Sequence, residues 1–214
     1  DPAVWLPRLH GIDAVVNAVG ILRESRRQPF SAFHAAAPIA LFSACRDAGV
    51  RKVIQISALG ADANAATGYH RSKAEADAHL ASLPLAWVIL QPSIVFGTGG
   101  ASTRLFATLA ALPRVPLPGA GGQRVQPVHV DDLVAACLRV LSETRFDRTV
   151  IPVVGPQACT VRGLLAELRL GLGLGEPHFV QVPMRIVRAC ARLGTSLPRS
   201  ALDPETLQML ERGN

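Results

Sequence analysis

Lysine and tyrosine are nearly missing from this chain: its 214 residues hold two lysines, Lys52 and Lys73, against 20 arginines, and one tyrosine, Tyr69. Cysteine is scarce too. Cys45, Cys137, Cys159 and Cys190 show neither a C-x-x-C pairing nor His-rich spacing, which speaks against a zinc site and against a disulfide framework. No apolar run of roughly 18 residues is free of charge, so no bilayer-spanning helix is expected. The chain opens on Asp1-Pro2 with no charged-then-apolar leader, and the expectation is a soluble, cytoplasmic protein without a secretory signal. The formal net charge of +6 rests on arginine, and no basic run is interleaved with aromatics. Arg23, Arg26 and Arg27 form the one dense basic cluster, so the charge reads as a solvated surface and no nucleic-acid partner is expected.

What is present is an apolar, alternating pattern. With 49% apolar residues the chain can bury a sizeable core. Residues 12 to 19 read as a strand covered on both faces. Phe30, Phe33, Ala37, Leu41 and Cys45 recur at helical spacing before Gly49 as a C-cap. Residues 52–57, 86–91 and 150–154 read as further strands, with helices over 69–82, 132–142, 161–171, 184–194 and 204–212. Asp131 is expected to N-cap the helix from 132, and Asp203-Pro204 to open the last one. Strands alternating with helices imply an α/β fold built on a parallel sheet with right-handed crossovers.

Tyr69 stands four residues before Lys73, and Ser57 closes a strand twelve residues upstream. Helical positions i and i+4 share a face, so phenol and ammonium are expected to look onto a common space. A cation about 4 Å away is worth roughly 4 kcal/mol at an effective dielectric of 20, enough to bring the phenol from about 10 to about 7. That is the range in which general acid-base catalysis works best. Ser57 would hold a substrate carbonyl or alcohol while the phenol exchanges its proton. The plain alternatives are an ordinary exposed Tyr-Lys pair and a serine that caps a strand turn. His129 reads first as a hydrogen-bonded structural histidine, and Asp131 and Asp132 as helix-start residues.

Several segments together resemble the short-chain dehydrogenase/reductase superfamily, in its extended or atypical, epimerase/dehydratase-like branch. Ile12 to Gly20 looks like its fourth strand with the Asn-Ala-x-Gly turn, Val53 to Ser57 like its fifth, and Tyr69 to Lys73 like its Tyr-x-x-x-Lys helix. Trp87 to Gly97 is similar to the sixth strand and the Pro-containing loop, and Val128 to Leu133 to a later strand-to-helix signature. The nearest resemblance is to epimerase-like proteins related to the nucleotide-binding accessory subunit of respiratory complex I. It implies a Rossmann-like doubly wound sheet with NAD or NADP as cofactor, NADP favoured, and no metal.

By the same resemblance Ser57, Tyr69 and Lys73 are the catalytic residues. Asn17, Ala18, Val19, Gly20, Pro92, Ser93, Ile94 and Val95 join them around the cofactor. The superfamily's opening Gly-x-x-Gly-x-x-Gly turn is missing, so the chain reads as a fragment lacking its first βα units. Residues 1–154 would be the remaining dinucleotide-binding domain, with 98–127 a substrate-facing loop region, and 155–214 a helical substrate lobe. Gly97 to Gly100 and Gly119 to Gly122 read as loops without the strand before and helix after that a phosphate turn needs. Two departures stand out. His34 occupies the place where relatives often have the Asn of a proton relay, and Gln91 the place of an Arg before the proline. The implied activity is an NAD(P)-dependent oxidoreductase or epimerase acting on a small molecule. The alternative is a non-catalytic NAD(P)H-binding accessory, assembly or redox-sensing protein, which brings in a respiratory-complex partner and a place beside the inner membrane for the full-length protein. A fragment with its fourth strand at a sheet edge is also expected to self-associate.

Overall fold

The computed structural model describes residues 1–194 and 203–212. Its elements run in the order β1 (Ala14–Asn17), α1 (Ala37–Asp47, entered through a π-helical segment Ser31–Ala36), β2 (Lys52–Ile56), α2 (Gly68–Ser82) and β3 (Ala86–Pro92). There follow β4 (Val95–Phe96), α3 (Ala101–Ala111), β5 (Val115–Pro118), β6 (Arg124–Val125), β7 (Val128–His129) and α4 (Val130–Ser142). The chain continues through β8 (Thr149–Val153), β9 (Cys159–Thr160), α5 (Val161–Gly171), β10 (Phe179–Val182), α6 (Met184–Gly194) and α7 (Pro204–Arg212).

Two compact units divide the chain: Asp1–Pro92 with Asp131–Val153, and Ser93–Val130 with Val154–Asn214. The division therefore does not follow a single cut after residue 154, because residues 93–130 leave the main sheet and pair among themselves and with later strands. In the first unit, β1, β2, β3 and β8 form one parallel sheet in that order, with Asn17 beside Gln55 and Gln55 beside Ile89. Phe42, Cys45, Val53, Ala76, Leu80, Trp87 and Ile89 pack the layer where α1 and α2 cover this sheet. Gly49 follows α1 at φ +74°, a left-handed turn that costs glycine little and lets the chain double back into β2. Thr67 caps α2, its hydroxyl accepting from His70 N at 3.3 Å.

The second unit corrects two expectations. Residues 98–127 are not a loop region, since they hold α3, β5 and β6. Gly97 to Gly100 also has a strand before it and a helix after it, β4 and α3, with Thr103 Oγ1 accepting from Gly97 N at 2.9 Å. Helix α3 reads weakly in sequence because its apolar residues sit between glycine and proline clusters. They nevertheless build the core of this unit, where Phe106, Leu109 and Ala110 pack with Val115, Leu117 and Leu165. Asp131 is not a cap either: α4 begins at Val130, which places the carboxylate inside the first turn, beside the positive end of the helix. Asp203 caps α7 as expected, its Oδ1 accepting from Thr206 N at 2.8 Å.

Candidate functional site

The C-terminal ends of β1 and β2 carry polar residues where the preceding positions are apolar, and α2 lays its own polar face over them. Asn17, Gln55, Ser57, Ser72, Lys73 and Asp77 are all buried there, with His34 wholly enclosed in the π-helical segment. Buried polar groups must find partners, and most of these find one another.

Lys73 is the centre of the group. Its Nζ donates to Val19 O at 3.2 Å and to Ile56 O at 3.1 Å, tying α2 to the turn after β1 and to the end of β2. Burial lowers the ammonium from 10.5 to about 8, against the pull of Asp77. A third N–H remains. Gly20 lies against it: a methyl built on that glycine would sit 3.3 Å from Lys73 Nζ and 3.8 Å from His34 Nε2.

Tyr69 is half-buried among rings, edge-on to Phe30, His34 and His70 with centroids 5.8, 5.1 and 5.3 Å away. Burial pushes its phenol up to about 12. The expectation of a phenol near 7 is thus corrected. The lysine whose charge was to lower it is itself desolvated and directed at two carbonyls.

Ser57 has a partner within the protein: its hydroxyl donates to Asp77 Oδ2 at 2.5 Å, a charge-assisted length. Asp77 is raised above the usual carboxylate range, first by desolvation, while Ser57, Gln55, Lys73 and Gln91 pull it down. Gln55 Nε2 and Asp77 Oδ1 are close enough for that influence, yet both are buried without a well-formed hydrogen bond.

Asn17 is structural in its contacts: Nδ2 donates to Gln55 Oε1 at 2.7 Å, and Oδ1 accepts from Val19 N at 3.3 Å, shaping the Ala18-Val19-Gly20 turn. His34 Nε2 accepts from Ile21 N at 2.9 Å, which puts the ring proton on Nδ1, 3.1 Å from Ser72 Oγ. Ser72 in turn donates to Tyr69 O at 2.9 Å. Burial, with the charge of Lys73, lowers His34 to about 4, so it is neutral at physiological pH.

Within the first unit the structure therefore gathers Asn17, Val19, Gly20, Ser57, Tyr69 and Lys73, with Pro92 ending β3. Ser93, Ile94 and Val95 belong to the second unit, where Ser93 donates to Gln126 O, Ile94 packs against the core and Val95 pairs with Val128. The sequence reading missed Asp77, Gln55 and Ser72. A signal existed for the first, since Asp77 repeats the i+4 step from Lys73 along the same helix. Gln55 was the one polar residue in an otherwise apolar run after Lys52.

A family model described as NAD(P)H-binding matches residues 5–139. The mitochondrial NADH dehydrogenase (ubiquinone) 1 alpha subcomplex subunit 9 of Arabidopsis thaliana is 30% identical over 188 residues, covering 84% of this chain and 45% of that protein. The chain spans about half the length of the curated relatives it matches. Among solved structures, a nucleoside-diphosphate-sugar epimerase from Staphylococcus aureus superposes with a TM-score of 0.76 at 14% identity, over 100% of this chain and 71% of that one. A dTDP-glucose 4,6-dehydratase from Streptomyces venezuelae with NAD bound gives 0.70 at 22% identity, over 86% and 64%. These likenesses show an epimerase/dehydratase-type, Rossmann-like fold.

Proposed function

Because the chain belongs to the NAD(P)H-binding family, we propose that it carries the nicotinamide-ribose side of a dinucleotide site in an oxidoreductase or epimerase/dehydratase, with Ser57, Tyr69 and Lys73 as its working residues. The observation that carries this reading is Lys73. A buried ammonium with two hydrogens on carbonyls and a third beside a side-chain-free glycine suits a ribose hydroxyl. A β-carbon at position 20 would take up that space. The bound cofactor would supply the hydride acceptor or donor. Tyr69 would pass a proton at its Oη, its pKa, pushed up to about 12 by burial, marking it as a phenol that holds its proton until a ligand adds favourable charge nearby. Ser57 would hold the substrate oxygen. NAD and NADP both suit these residues, with NADP favoured by the superfamily resemblance.

A second reading, a non-catalytic NAD(P)H-binding accessory, assembly or redox-sensing protein, is favoured by one specific observation. Both ring nitrogens of His34 are engaged within the protein, so at neutral pH its single ring proton, on Nδ1, is committed to Ser72. Under that reading the partner is an NADH dehydrogenase (ubiquinone) assembly, as the name of the Arabidopsis relative suggests.

Turnover separates the two. The full-length protein is expected to oxidise NADPH with a panel of quinones and carbonyl compounds, and Tyr69→Phe to lower kcat by about a hundredfold or more while NADPH still binds. Tight NADPH binding with no turnover across the panel would establish the second reading.

A further inference from the structure

We propose that Asp77 is a positioning residue of this site: its carboxylate accepts the hydrogen bond of the Ser57 hydroxyl, so that Ser57 meets a ligand only as a hydrogen-bond acceptor and selects a group that brings its own donor, an alcohol. This rests on the reading of Ser57 as a ligand-facing residue. The geometry is specific. Ser57 Oγ donates to Asp77 Oδ2 at 2.5 Å, and among the described residues no other hydrogen bond engages that hydroxyl. A serine has one hydrogen and two lone pairs. With the hydrogen committed, only lone pairs remain for anything else. The arrangement is also fixed from both sides. Asp77 is on α2, one turn after Lys73, and Lys73 holds the carbonyl of Ile56, the residue before Ser57. Serine and carboxylate are thus pinned by a single helix that carries the phenol and the ammonium as well. Burial raises Asp77 above the usual carboxylate range, and Ser57, Gln55, Lys73 and Gln91 draw it back toward the anion.

The consequence is a polarity. An acceptor-only serine holds a substrate hydroxyl and offers nothing to a carbonyl oxygen, which falls to the Tyr69 proton alone. The ligand class is therefore a secondary alcohol, a sugar carbon bearing a hydroxyl among them, while a carbonyl compound in the reverse, NADPH-consuming direction would be held by the Tyr69 proton without help from Ser57.

Proton NMR of the full-length protein at neutral pH tests the hold directly. A downfield hydroxyl resonance is expected in the wild type and in Tyr69→Phe, shifted upfield in Asp77→Asn and lost in Ser57→Ala, with the Asp77 carboxyl carbon at its ionised position. A protonated carboxyl, or a resonance unchanged by Asp77→Asn, overturns the proposal whatever the turnover. Kinetics give the second arm. Asp77→Asn should lower kcat/KM about tenfold, the loss expected for a charge-assisted hydrogen bond, with partial recovery in Asp77→Glu. In the Ser57→Ala background Asp77→Asn should cost nothing more, whereas fully additive losses would show a structural role only and overturn the proposal. A wild type without turnover removes the catalytic reading instead, and the resonance still decides whether Asp77 orients Ser57.

Discussion

At the scale of single residues, the site is a set of ionisable groups whose charges are disfavoured by burial and restored by a few well-placed partners. His34 shows this most plainly. Its acidity lies near 4 in the folded chain against an ordinary 6.5, so between those values the unfolded chain takes up a proton that the folded chain refuses. Stability should therefore fall as the pH drops from about 6.5 to about 4, by up to about 3 kcal/mol. Chemical denaturation across that range measures it. His34→Asn, which keeps hydrogen-bonding groups without a titrating ring, is expected to flatten the slope, and an unchanged slope would assign it to other groups. Tyr69 and Lys73 were legible as candidates because tyrosine and lysine are so rare in the sequence. Their electrostatics were not. Spacing reports which groups share a helix face, but the direction of an acidity shift depends on desolvation and on the carbonyls of Val19 and Ile56, which only the folded chain supplies.

At the scale of elements, β2 is tied to α4 by a side chain that reaches out of the sheet. Lys52 opens β2 and sends its ammonium to the end of α4, donating to Val140 O at 2.8 Å and Glu143 O at 3.1 Å. It also lies 2.6 Å from Asp147 Oδ1, an ion pair by distance whose angle falls short of a hydrogen bond. The cation thereby meets the carbonyls that a helix end leaves unpaired. Lys52→Met should destabilise the protein by about 3 kcal/mol in urea unfolding, since it strips a buried cation from its partners. A loss below about 0.5 kcal/mol, the range of ordinary surface changes, would mean that water replaces it. The βαβαβ order around β1, β2 and β3 was legible because apolar runs and helical periodicity alternate cleanly there. Helix α3 was not, for its flanking glycines and prolines suggest loop and its partners lie far away along the chain, in α5 and β5. The π-helical segment that points His34 inward leaves no mark in residue types at all, since widening a turn by one residue changes hydrogen bonding and not composition.

At the scale of the whole molecule, the parallel sheet of the first unit ends at β1, whose outer edge pairs with no other strand among the described residues. Val16 on this strand and Val19 just beyond it keep about half their surface exposed, 46% and 51%. An unpaired strand edge with exposed apolar side chains is a template for another chain. Sedimentation velocity of the 214-residue chain should show self-association that grows with concentration and is reduced by Val16→Lys; a single monomeric boundary at all concentrations would contradict this. Beside that edge, the turn of Ala18, Val19 and Gly20 leads straight to the lysine on which the dinucleotide reading depends. Calorimetric titration of the full-length protein with NADPH and NADH tests it most directly. Lys73→Met is expected to weaken binding at least about tenfold, the worth of a charge-assisted hydrogen bond to a ribose hydroxyl, and equal affinity in wild type and variant would contradict the account.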